Sequence, residues 1–364
     1  MRKDLLTLVL LLVTLCGCSQ QKEEEFVIRC KANGMADGIS VGLLTHENME
    51  SEELATAVVK NGEFELRGKV SHPQLCTLIT NNLEIIKDEV AKEDYSHVHW
   101  TYTPVFVSNT EMTLNVTDYQ DIPDEAWTDK FSITGGQPQA DYTKYIQLTR
   151  GAGEDLAAQN KVAWTFIKDN PTSVVSLYLA NNMLRNGYNL TLDSIKLLES
   201  YIKPNDADTL RYAQFLRNSE LAEATAVGKP VVDLPMQDLE GKPFMLSEAL
   251  PQGKIVLVDF WASWCGICRA GTPAIKECAK RHPESFAVIG VSTDENLDKW
   301  KKAVEEENCP WPQYVLTPEG AKDFYEKYQT IGVPYYIIID TEGHVISNPG
   351  GTDAAVKMID RICE

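Results

Sequence analysis

Through the first third of the chain, apolar and polar positions alternate with a period of two. Glu63-Phe64-Glu65-Leu66-Arg67 is the plainest case. Successive strand residues point to opposite faces, so this pattern predicts a half-buried strand. Phe26-Val27-Ile28-Arg29-Cys30, Ser40 to Leu44, Ala55 to Val59, Gln74 to Thr80, Val105 to Val107 and Met112 to Val116 are further candidate strands. Asn61-Gly62 ahead of the Glu63 run predicts a tight hairpin. From about Pro138 to Ala226 the spacing turns helical, with Tyr142, Tyr145, Ile146 and Thr149 on one face. Asn170-Pro171 predicts a helix start, Asn as cap and Pro as first residue, followed by the stripe Val174, Val175, Tyr178 and Leu179. Thr191 is a candidate cap for a helix carrying Ile195, Leu198 and Tyr201, and a fourth helix runs from about Asp208 through Leu210, Phe215 and Leu216. Aromatic stripes at this spacing are core, and the region is expected to dock on one of its neighbours.

Gly228-Lys229-Pro230 marks a boundary. Beyond it, Val256-Leu257-Val258-Asp259-Phe260-Trp261 begins as a run rich in β-branched residues, the pattern of a strand buried on both faces. Past Cys268 the spacing is helical again, with Ala270, Ile275 and Cys278 among Lys276, Glu277 and Lys280. A buried strand therefore delivers Cys265 and Cys268 to a helix N-terminus. Unpaired N–H groups and the helix dipole favour an anion there. A cysteine in that place has its pKa lowered to roughly 3.5–7.5, and the thiolate is the reactive form. Cys265 is expected to be partly exposed, and Cys268, one turn inside, to attack a mixed disulfide formed at Cys265. Half of a zinc site is a poor alternative, because zinc takes four ligands and the other downstream cysteines stand singly. An inert structural disulfide does not explain the strand-to-helix placement.

The chain has 364 residues, 43% of them hydrophobic, enough for two or three domains with sizeable cores. A formal charge of −19 argues against nucleic acid as a partner. Arg2 and Lys3 precede the apolar run Leu5 to Leu15, which is too short to span a bilayer and reads as the core of a signal peptide. Leu15-Cys16-Gly17-Cys18 resembles a bacterial lipobox, which implies cleavage before Cys18, lipid on Cys18 and a membrane anchor. Residues 1–17 are then the signal peptide and 18–25 a polar tether. The acidic run Glu23 to Glu25 reads either as a surface-export signal or as a solvated spacer. Envelope placement permits disulfides to persist. His97 and His99 share a face of a candidate strand, but no third metal ligand is in sight, so no metal is expected. Cys30 and Cys76 are either a disulfide or two buried thiols.

The stretch around Cys265-Gly266-Ile267-Cys268 resembles the active site of the thioredoxin superfamily. Pro273 falls where that family kinks its first helix, and Ile331-Gly332-Val333-Pro334 precedes the strand Tyr335 to Asp340. The turn Glu342-Gly343 and a closing helix from about Thr352 to Cys363 complete the order of motifs. The resemblance covers about Val227 to Glu364. Val231 to Leu234 and Gly241 to Phe244 resemble the N-terminal β extension of TlpA-like and ResA-like members, and Trp311 to Tyr328 their insertion. The front region resembles the small β-domain of unknown function found ahead of such modules in envelope lipoproteins. The expected layout is a β-rich domain over 26–136, a helical segment over 137–226 and an α/β thioredoxin-like domain over 227–364.

This resemblance implies a thiol-disulfide oxidoreductase that needs no cofactor beyond its two cysteines. Cys265 and Cys268 would be the reactive pair and Pro334 the cis-proline facing them. Asp259 would be a buried acid relaying the Cys268 proton, or one held by a structural partner. Trp264 would form an apolar rim, and the Val333 backbone would pair with an extended substrate. The implied partners are disulfide-containing client proteins and an upstream thiol electron donor. Cys309 and Cys363 are expected to be non-catalytic. Ile267 stands where many members have Pro, which leaves the direction open between reductant and oxidase or isomerase. A binding lipoprotein with a vestigial redox module is the reading from another class.

Overall fold

The computed structural model describes residues 25–45, 52–81, 101–119, 131–185 and 189–364. The signal segment, Cys18, nearly all of the tether, and His97 and His99 lie outside the described residues. The chain divides into two compact units, residues 1–140 and 141–364.

The first unit is built of strands β1 (Phe26–Ala32), β2 (Ser40–Thr45), β3 (Glu52–Val58), β4 (Glu63–Gly68), β5 (Gln74–Asn81), β6 (Thr101–Val107), β7 (Glu111–Val116) and β8 (Phe131–Thr134). They form two four-stranded sheets, ordered β4-β1-β7-β8 and β3-β2-β5-β6. Alternate residues of both sheets, among them Ile28, Leu66, Val41, Leu78 and Leu114, share one apolar core. Asn61 and Gly62 both have positive φ, 53° and 70°, in a tight turn closed by the mutual Lys60–Glu63 backbone bonds at 3.0 Å; the expected hairpin goes no further, because β3 and β4 join different sheets. Cys30 and Cys76 are buried free thiols.

Helix α1 (Gln137–Gly151) runs across the division between the units and opens the helical segment. It is followed by α2 (Leu156–Asp169), α3 (Val174–Leu184), α4 (Leu192–Tyr201) and α5 (Thr209–Ala224). The expected start at Asn170 is two corrections in one. Asn170 ends α2, its backbone N–H and side-chain Nδ2 both donating to the Phe166 carbonyl at 2.9 and 2.8 Å. Ser173 caps α3 instead, its Oγ accepting from Val175 N at 3.2 Å while donating to Asp141 Oδ2 at 2.5 Å. An Asn side chain at a helix end satisfies an orphan carbonyl as readily as it caps a start, and Pro171 stops the helix before it. Helix α2 itself was not foreseen; Asp155 caps it, accepting from Ala157 N and Ala158 N. Thr191 caps α4 as expected, and the helix expected from about Asp208 starts at Thr209 with Asp208 as its cap. In α5 only Phe215 of the expected stripe is buried, whereas Leu210 and Leu216 are exposed.

The remaining elements form an α/β layer around a seven-stranded sheet. They are β9 (Pro235–Gln237), β10 (Pro243–Met245), α6 (Leu246–Ala249), β11 (Ile255–Trp261), α7 (Gly266–Arg281), β12 (Phe286–Ser292), α8 (Leu297–Glu307), β13 (Gln313–Leu316), α9 (Pro318–Lys327), β14 (Tyr335–Ile339), β15 (Val345–Ser347) and α10 (Thr352–Cys363). The strand order is β10-β9-β13-β12-β11-β14-β15. Strand β11 lies inside it, parallel to β12 and antiparallel to β14, which is why it reads as a continuous apolar run. The helical segment packs on this module within the same unit. Gln329 Nε2 donates to the carbonyls of Leu184 and Asn218 at 3.4 and 3.2 Å, and Arg217 pairs with Glu326 at 2.6 Å.

Candidate active site

Strand β11 ends at Trp261, and the chain turns through Ala262, Ser263 and Trp264 into α7. Cys265 is the N-cap of α7, and its Sγ accepts a hydrogen bond from Cys268 N at 3.2 Å. A sulfur thus takes the place of the usual capping oxygen and answers one of the helix's orphan N–H groups. Cys265 and Cys268 are joined as a disulfide with Cα atoms 5.3 Å apart. Pro273 lies inside α7. The buried face of α7 is Cys268, Thr272, Ile275 and Cys278; Ala270 is exposed, not part of the stripe.

Cys265 is not partly exposed as expected. It is 6% exposed against 3% for Cys268, because Trp261, Ala262 and Val333 close around the bridged pair. The exposed groups are its neighbours, Trp264 at 67% and Ile267 at 75%, with Ile331 across the loop at 67%. The peptide between Val333 and Pro334 is cis, and the Val333 carbonyl oxygen lies 3.6 Å from Cys265 Sγ. Val333, Pro334, Asn348 and Gly350 line a shallow cavity beside that carbonyl.

Asp259 sits on β11 opposite Gly290 and Tyr336 of the flanking strands. It is buried, its Oδ1 has no hydrogen-bond partner, and burial pushes its carboxyl up to about 7. Burial without a counter-charge disfavours the carboxylate, so the proton is lost only near neutrality. The structural-partner reading of Asp259 therefore finds no support at Oδ1. The Asp259 charge is felt by Tyr336 and by Cys309, where burial is the first cause of a raised thiol pKa of about 11. Among the described residues no cluster of three His, Cys, Asp or Glu could hold a metal.

A sequence model of thioredoxin-like proteins matches residues 253–345, the span from β11 through the cysteine pair and Pro334 to β15. A thioredoxin-like protein of Haemophilus influenzae is 42% identical over 118 residues, which is 31% of this chain and 67% of that one. The chain belongs to the thioredoxin-like family of oxidoreductases. A second model, of a domain of unknown function, matches residues 26–142. The thiol-disulfide oxidoreductase ResA of Bacillus thuringiensis is 28% identical over 137 residues, 37% of this chain and 76% of that one. The thioredoxin domain of a thiol-disulfide oxidoreductase from Bacteroides vulgatus is 32% identical, aligned over 38% of this chain and 99% of that one with a TM-score of 0.35. The chain spans from 38% to 76% of the length of such curated relatives.

Sequence reading missed the polar residues that fasten the turn leading to Cys265. Trp261 Nε1 donates to Gln313 Oε1 at 3.1 Å, Thr293 N to the Trp261 carbonyl at 2.9 Å, and Ser263 binds Asp294. The available signal was Ser292-Thr293-Asp294 at the end of the buried run of β12, since parallel strands place their C-terminal ends beside one another.

Proposed function

We propose that this protein is a cell-envelope thiol-disulfide oxidoreductase that reduces disulfides in client proteins through the Cys265/Cys268 dithiol. Reduced Cys265, as thiolate, attacks one client sulfur; the client's second sulfur leaves as a thiolate and takes up a proton. Cys268 gives its proton to ionised Asp259 and attacks Cys265 Sγ, which releases the first client sulfur as a thiolate that takes up a proton in turn. The client bridge becomes two thiols and Cys265–Cys268 becomes a disulfide. An upstream thiol donor then returns two electrons by the reverse exchange.

The observation that supports this best is the bridge itself, set at the first turn of α7 against the Val333 carbonyl. An acid titrating near neutrality can both accept and return a proton, which suits Asp259 to the relay. Trp264 and Ile267 supply an apolar rim, Pro334 shapes the groove, and the backbone of Val333 pairs with an extended client segment. The envelope placement rests on the Leu5 to Leu15 run and Cys18, and the relatives named ResA carry the same chemistry in their name.

The test is reduction of a protein disulfide by wild type and Cys265→Ser, together with the reduction potential. Turnover lost in the variant and a potential near thioredoxin's, about −270 mV, support the reductant; a value near about −120 mV supports an oxidant. Equal turnover in both proteins removes the cysteine pair from the reaction. Loss of lipid labelling on Cys18→Ala checks the anchor.

A further inference from the structure

We infer that Asp294 is a positioning residue for the thiol chemistry, fixing the Ser263–Cys265 turn that sets where the Cys265 sulfur lies. The inference rests on the reading of Cys265 as the attacking sulfur. Asp294 follows β12 and is 6% exposed. Its carboxylate grips a single residue of the turn at two points: Ser263 N donates to Oδ2 at 2.7 Å and Ser263 Oγ to Oδ1 at 2.6 Å. The carboxylate is itself held. Ser292 Oγ donates to Oδ2 at 2.7 Å and accepts from Asp294 N at 3.0 Å, so side chain and backbone of the clamp are locked together.

Hydrogen bonds to a carboxylate are short and about twice as strong as neutral ones. Here they tie the end of β12 to the loop leaving β11, two residues ahead of Cys265. The start of the same turn is held by Thr293 N, which donates to the Trp261 carbonyl at 2.9 Å. Cys265 N donates to the Ala262 carbonyl at 3.0 Å, and the Cys265 sulfur in turn takes the Cys268 N–H. If Ser263 drifts, both geometries drift with it. Small displacements of a reacting atom cost disproportionately in rate, on the order of a hundredfold for about 1 Å. Nothing comparable holds Asp259 Oδ1, which separates the two acids: Asp259 is unsatisfied and suited to proton traffic, Asp294 is saturated and suited to holding shape.

The test uses the full chain with its dithiol reduced. Ser263→Ala removes one bond without altering charge, Ser263→Thr keeps the hydroxyl, and Asp294→Asn places an NH₂ donor against a donor. Asp340→Asn, which loosens the distant β14–β15 turn capped by Asp340, controls for simple loss of stability. The rate of Cys265 alkylation is followed across pH, beside exchange with a small disulfide. Expected are an upward shift of the Cys265 titration midpoint in Ser263→Ala, recovery in Ser263→Thr, and exchange at least tenfold slower in Asp294→Asn. Asp340→Asn is expected to lower Tm and leave the midpoint in place. Should Asp294→Asn not fold, the Ser263 pair decides. A wild-type midpoint and rate in Ser263→Ala overturns the inference. If wild type itself performs no exchange, the reading of the cysteine pair fails first, and the clamp has nothing to position.

Discussion

Cys268 N donates to Cys265 Sγ across 3.2 Å, so the second cysteine's backbone hydrogen-bonds the first cysteine's sulfur. This bond and the α7 dipole both favour negative charge on that sulfur. Titration of the reduced protein, by thiolate absorbance or alkylation rate, is expected to give Cys265 a midpoint between about 3.5 and 7.5. Cys268→Ser is expected to accumulate a mixed disulfide with its client, visible by mass, because the resolving sulfur is missing. A midpoint near 8.5 for Cys265 would refute the electrostatic account.

Asp259 gives the fold a pH dependence of defined sign. Burial raises its carboxyl from the ordinary 3.8 to about 7, so the folded state keeps a proton that the unfolded chain loses. Its contribution to stability is therefore present below about pH 4 and declines as pH rises through 7. A gap of this size amounts to about 4 kcal/mol at full ionisation. Asp259→Asn is expected to be stabilising at pH 8.5 and near neutral at pH 4, measured by urea unfolding of the oxidised protein. If Asp259 is the acceptor proposed for the Cys268 proton, the same variant is expected to slow the resolving step at neutral pH. Equal stability changes at both pH values would contradict the buried, unpaired carboxyl.

Four of the five remaining described cysteines separate by burial. Burial pushes Cys30 up to about 12 and, as the first cause, Cys278 up to about 11; both thiols, like Cys76, are closed to solvent. Cys309 is half-buried and likewise raised to about 11. At pH 8 a thiol titrating there is roughly one part in a thousand thiolate. Iodoacetamide on the native, reduced protein is expected to label Cys265 first, Cys309 at least a hundredfold more slowly, and Cys30, Cys76 and Cys278 only after unfolding. Peptide mapping reads the order; early labelling of Cys278 would contradict the packing of α7.

Helix α7 meets α10 at Gly271, where an added Cβ would collide with the Thr352 side chain. Thr352 Oγ1 also shares a hydrogen bond of 2.8 Å with the Tyr336 hydroxyl. Gly271→Ala is expected to cost about 1–3 kcal/mol by overpacking, and Thr352→Ala about 1 kcal/mol through the lost bond. The double variant should cost clearly less than the two together, because removing the threonine makes room for the methyl. Additive losses in urea unfolding would show that the helices do not meet there.

Local pattern was sufficient wherever one residue's neighbours in sequence decide its state. The period-two runs became β1, β4 and β5, Asn61-Gly62 became a positive-φ turn, and Thr191 capped its helix. The apolar run into a cysteine pair, followed by helical spacing, was enough to set both sulfurs at the start of α7 and to mark the thioredoxin-like module. Asn170-Pro171 was ambiguous for a physical reason: an Asn amide can donate to a last carbonyl as well as accept at a first N–H. Tertiary structure alone decided burial and partnership. Whether the Cys265 sulfur faces water depends on Val333, 68 residues away in sequence, and whether the turn is clamped depends on Asp294, 31 residues away. Strand adjacency brings those groups together, and sequence periodicity carries no record of which strands lie side by side.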